Sequence, residues 1–158
     1  MNVEDFPPAA PTRLLISRRG EGEATLTSDG RPMLVRLSAQ QTQGVLKLVE
    51  MDEAPRDRIT VHEHDYPEAW LILEGSYLYF ANDQWHRADA GTFVYAPPHV
   101  AHGIAATPGT RCRKLSFVLE GNAIGDPASG RPASMEMRAI TTLDVPTGLP
   151  ATPETETT

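Results

Sequence analysis

The chain has 158 residues, 14 basic against 21 acidic side chains and one cysteine, Cys112. Its net charge of −7 excludes the clustered Lys and Arg that a nucleic-acid or anionic-membrane partner requires. The single thiol excludes an internal disulfide framework, and no apolar run reaches the roughly 20 residues of a membrane-spanning helix.

The opening MNVEDFPPAAP has neither the basic nor the apolar region of an export signal, so a cytoplasmic location is expected. Residues 1–30 read as an N-terminal arm in which 12–16 supplies a strand, within the domain or to a second copy. Such exposed edges make a homodimer the expected assembly. From 31 to 120, short runs rich in Val, Ile, Leu, Tyr and Phe are punctuated by Gly, Pro and Asn-Asp without a sustained helical period, which is an all-β signature. Strands are predicted at 33–38, 44–51, 58–64, 68–74, 76–81, 84–87, 92–96, 99–105 and 111–120, a spacing that suits a sandwich or barrel. Asn82-Asp83 is expected to turn a hairpin, because both residues tolerate left-handed backbone. Pro97-Pro98 cannot donate to a ladder and belongs at a strand end. Residues 121–158, rich in Pro and Thr, read as an irregular extension, disordered over the last dozen or so residues, with 134–140 its one candidate helix or strand.

The chemistry is concentrated in His62, His64, Glu68 and His102. Side chains alternate across a strand, so His62 and His64 share a face and Glu63 takes the other. Glu68 opens the following strand and can aim its carboxylate at the same point, while Trp70 and Ile72 follow at period two as the expected wall of a substrate pocket. His102 must arrive from a distant strand. Three neutral imidazoles and a carboxylate suit a borderline divalent metal (Fe, Mn, Ni, Co, Cu or Zn) and leave coordination positions open. Cys112, in a strand-like run, reads as a packed residue, not a nucleophile; His86 reads as surface, and His99 as a turn residue bonded to backbone.

These residues resemble the two motifs of the cupin superfamily. His62, His64, Glu68 and Gly75 match the first, Gly91, Pro97 and His102 the second, with fifteen residues between them. Three positions depart from the pattern: Arg56, His99 and Ala106 stand where two glycines and an asparagine are usual. The resemblance covers about 31–120 and implies a small jelly-roll (cupin) barrel holding one metal. It further implies a quercetinase-like dioxygenase in which dioxygen attacks a chelating enol or aromatic hydroxy-ketone, a small-molecule substrate, while Glu68 alternates between ligand and base. A metal-dependent isomerase, cyclase or lyase is the alternative, and a non-enzymatic binding module the third reading.

Overall fold

The computed structural model describes residues 14–27, 30–119 and 137–149. In chain order it contains β1 (Glu23–Leu26), β2 (Pro32–Leu37), a one-turn helix α1 (Ala39–Thr42), β3 (Lys47–Glu53), β4 (Arg58–Glu63) and β5 (Glu68–Glu74). Then follow β6 (Ser76–Ala81), β7 (Gln84–Asp89), β8 (Phe93–Ala96), β9 (His102–Ala106), β10 (Cys112–Val118) and β11 (Arg138–Asp144). The strands form two antiparallel sheets, β1-β2-β3-β10-β5-β8 and β11-β4-β9-β6-β7, and the chain crosses between them repeatedly. This is the expected all-β jelly-roll arrangement. No helix among the described residues is long and apolar enough to cross a membrane.

Local sequence explains the joins. Asn82 and Asp83 take φ of 52° and 60°, so the two-residue loop between β6 and β7 has the primed geometry that follows strand twist. Gly75 closes the β5–β6 turn at φ 72°, and a Cβ there would collide with the Arg111 carbonyl and lie 2.8 Å from Cys112 Sγ. Ser38 and Gln41 form a capping box for α1, in the stretch between the strands predicted at 33–38 and 44–51, and β3 starts at Lys47, not 44.

Between the sheets, Trp70, Ile72, Tyr77, Tyr79, Ala88, Ala96, Ala106 and Cys112 pack into the main core. A second cluster joins Ile59 and Val61 of β4 to Ala105, with Phe80, Trp85, Leu143 and Val145 against it. Because strand side chains alternate, burying Ile59 and Val61 on that outer face turns Thr60 and His62 toward the interior. Each such aliphatic burial stabilises by about 2 kcal/mol, so the face that β4 presents inward is fixed by its apolar residues on the opposite face.

Two strands lie outside the 31–120 span. β1 pairs with β2, and β11 pairs with β4, so segments on both sides of that span join the sheets. Of the proposed arm strand at 12–16, residues 14–16 form no strand, and 12–13 lie outside the described residues. The Ser17 carbonyl and hydroxyl are instead taken by Arg36, and the N-terminal strand is the hairpin partner Glu23–Leu26. At the other end the 134–140 segment becomes strand from Arg138, while its first three residues and residues 150–158 lie outside the described residues.

Candidate metal centre

β4 and β9 are cross-strand neighbours at one pair, His62 opposite His102, which places two of the imidazoles side by side. His64 follows at the end of β4, and Pro67 returns the chain so that Glu68 starts β5 facing it. The ligand nitrogens of His62, His64 and His102 lie within 4.8 Å of one another. Glu68 Oε2 is 3.2 Å from His64 Nε2 and 3.9 Å from His102 Nε2. The structure thus brings all four expected donors to one place, with His64 and His102 buried and His62 half-buried.

Each ring is oriented in the same way. Nδ1 of His62, His64 and His102 faces the carbonyl of Thr60 at 3.2 Å, Tyr66 at 2.6 Å and Val100 at 2.8 Å. A carbonyl only accepts, so Nδ1–H donates, and the neutral ring keeps its lone pair on Nε2. Stacking of His64 on Tyr66 at 3.9 Å and the edge contact of Trp70 with His102 at 5.4 Å hold the rings further. Burial lowers the affinity of His62 for a proton, against the pull of its bond to Thr60. Burial alone would raise the Glu68 carboxyl; proximity to the His102 and His64 rings outweighs it and holds it down at about 2, so the carboxylate is ionised.

The donor set is therefore acceptors facing acceptors. His102 Nε2 is buried with no hydrogen-bond partner, and His64 Nε2 faces an ionised carboxylate while its other nitrogen is already donating. A water offers two protons to four such acceptors; a divalent cation satisfies all of them, so these residues fit a metal.

Beside the donors lies a cavity of about 380 Å³, on whose wall His62, Glu68 and Trp70 appear together with Tyr66, Met51 and Ile104. Ile72, expected beside Trp70 in the pocket, is 1% exposed and packs into the core beyond the cavity wall. Cys112 is fully buried, its Sγ directed at the Ser76 carbonyl, as suits a packed residue. His99 is an exposed turn residue at φ 63° whose backbone N–H donates to the His64 carbonyl at 2.8 Å. The cavity also holds groups that pattern reading did not place there: Arg31, Arg56 and Lys114, arrayed around the Glu53 carboxylate. Period two along β10 carried the signal for Lys114, since it shares the parity of buried Cys112 and Ser116. Glu53 binds Lys114 at 2.7 Å; burial lowers the lysine's affinity for its proton, and contact with the Glu53 carboxylate opposes that shift. Burial opposes the Glu53 charge too, but Lys114, Arg31 and Arg56 hold its carboxyl below the ordinary range.

Residues 49–118 match the family model described as Cupin domain, and this span includes all four donors. In fold the chain is similar to the polyketide cyclase RemF from Streptomyces resistomycificus, at 17% identity over 82% of this chain and 87% of that one, with a TM-score of 0.63. It is also similar to a predicted oxalate decarboxylase from Thermotoga maritima, at 20% identity over 66% and 97% with a TM-score of 0.59. An RmlC-like cupin from Shewanella frigidimarina aligns at 18% identity over 68% and 92%, with a TM-score of 0.53. At these identities the likeness concerns the fold alone. No curated protein matches the chain in sequence.

Proposed function

We propose that this cupin is a metal-dependent enzyme in which His62, His64, His102 and Glu68 hold one divalent ion. We assign it as a quercetinase-like dioxygenase acting on a chelating enol or aromatic hydroxy-ketone. The observation that carries the metal reading is His102 Nε2, buried and without a hydrogen-bond partner beside two similarly oriented imidazoles and a carboxylate. When bound, an ion of the Fe, Mn, Ni, Co, Cu or Zn group supplies Lewis-acid and, for the redox-active members, electron-transfer chemistry to a substrate that chelates through adjacent oxygens.

The chain's own groups do the rest. Glu68 stands both against His64 and on the cavity wall, so its carboxylate can swing from the donor cluster to accept the proton of a substrate hydroxyl. Trp70, packed edge-on to His102 and 2% exposed, gives the cavity a rigid aromatic wall suited to a planar unsaturated substrate. Tyr66 holds His64 by stacking and by its carbonyl, which keeps the Nε2 lone pair directed inward.

Oxygen uptake by the metal-loaded protein with a flavonol or a simpler chelating enol tests this reading. Uptake matched to substrate loss is expected, abolished by Glu68→Gln while the metal stays bound. Turnover that continues under argon would overturn the oxygenase assignment. It would move the site to isomerase, cyclase or lyase chemistry.

A further inference from the structure

We propose that a second cavity, which reaches His102, is a dioxygen pocket supplying the metal centre separately from the organic substrate. The supply role rests on the oxygenase reading above; the pocket rests on its own wall. It has a volume of about 380 Å³ and is lined by residues of β7 and β8, the edge strands of the two sheets. Trp70 lines both this cavity and the one beside Glu68, whereas His102 lines this one. The two spaces therefore approach the donor cluster separately, with the Trp70 ring between them.

Their walls differ in chemistry. The first carries Glu68, Lys114 and further polar groups, which suits a hydroxylated chelator. The second is mostly carbon: Ala88 and Ala96 are buried, Val94 and Val100 are half-buried, and its polar Asn82, His86 and Thr92 are exposed at the rim. Arg87, also on this wall, is bonded to Asp89 at 2.9 Å. Of the His102 nitrogens, Nδ1 donates to the Val100 carbonyl and Nε2 is assigned to the ion. Tyr79 completes the wall, and its buried hydroxyl finds no hydrogen-bond partner, so polar neighbours are sparse there. A space with few partners for water takes up small apolar molecules, of which dioxygen is one. Val94 is the cross-strand partner of Trp70, so a larger side chain at 94 fills the cavity next to the ring that divides it from the substrate side. A gap filled by solvent would not concentrate dioxygen above its level in the rest of the core.

That difference is the test, and dioxygen itself is the probe, because it is paramagnetic and speeds the relaxation of nearby protons. Metal-free protein is equilibrated with dioxygen or with argon, and methyl relaxation is compared by NMR. The dioxygen effect on Ala88, 3% exposed, should exceed that on Ala105, 2% exposed in the other core cluster, by at least about threefold. Val94→Phe should remove the excess; Ala88→Val, a smaller change read at the Ala96 methyl, serves if the first variant does not fold. No excess in the wild type, or an excess unchanged in a folded variant, overturns the pocket. In the metal-loaded protein, Val94→Phe should raise KM for dioxygen at least about fivefold while KM for the enol and kcat at saturating dioxygen stay unchanged. An unchanged KM for dioxygen in a variant that has lost the relaxation excess overturns the supply role. A wild type that consumes no dioxygen overturns the oxygenase reading instead. The relaxation comparison then judges the pocket alone: an excess that the variant removes supports it, and equal effects overturn it.

Discussion

At one end of the barrel interior, His62, His64, His102 and Glu68 present lone pairs to one another, and His102 Nε2 is left without a partner. At the other end Glu53 meets Lys114 at 2.7 Å with Arg31 and Arg56 beside it, so charge is answered by charge from within the chain. Both regions bury polar groups in the space between the same two sheets, yet one sets opposite charges against each other and the other sets acceptor against acceptor. Folding can thus proceed around the ion cluster, and the histidine end waits for its cation.

Removing one member from each end separates the two. His64→Ala should lower metal affinity by at least about 100-fold, measured by chelator competition, while the metal-free variant keeps its β circular-dichroism spectrum. Loss of the fold with the imidazole would erase the distinction. Glu53→Gln should do the reverse, destabilising by about 3 kcal/mol in urea because it leaves Lys114 buried without its counter-ion, with metal affinity unchanged.

Acid sharpens the same contrast. The Glu53 carboxyl is held below its ordinary value of 4.5, so its charged form stabilises the fold above that pH, and the stabilisation is lost as pH falls through the lowered value. The melting-temperature gap between wild type and Glu53→Gln should therefore narrow on acidification below 4.5; a gap that widens would contradict the ion-cluster account. The smallest effect is expected at His99. Its left-handed backbone at φ 63° suits glycine, so relief of strain and loss of chain stiffness offset each other in His99→Gly, which should change stability by less than about 1 kcal/mol and leave metal uptake intact.

The histidine end was legible because its information is local. His62 and His64 share a face by strand parity, and their spacing to Glu68 and onward to Gly91, Pro97 and His102 follows a known pattern. The turns at Asn82-Asp83 and Gly75 were equally readable, since each depends on backbone conformations that few residues adopt. The ion cluster was not legible, because it is assembled from β3, β10 and the segments next to β2 and β4, and nothing in one strand announces its partners in another. Arg56 stood out only as an arginine in place of a glycine; its position on the cavity wall required the fold. Ile72 shows the limit of period-two reasoning, which gave its face correctly but not its depth: it lies beyond the wall that Trp70 forms. β1 and β11 were hidden for a related reason, since exposed strands of mixed polarity carry little apolar alternation.

The central claim is that converging acceptors at the imidazole end hold one divalent cation. Elemental analysis of protein purified without a metal-affinity column tests it most directly. The account predicts close to one equivalent of a transition metal or zinc per chain in the wild type and close to none in the folded His62→Ala/His102→Ala double variant. A metal-free wild type that takes up no divalent transition metal on reconstitution, or a double variant that retains a full equivalent, would contradict it.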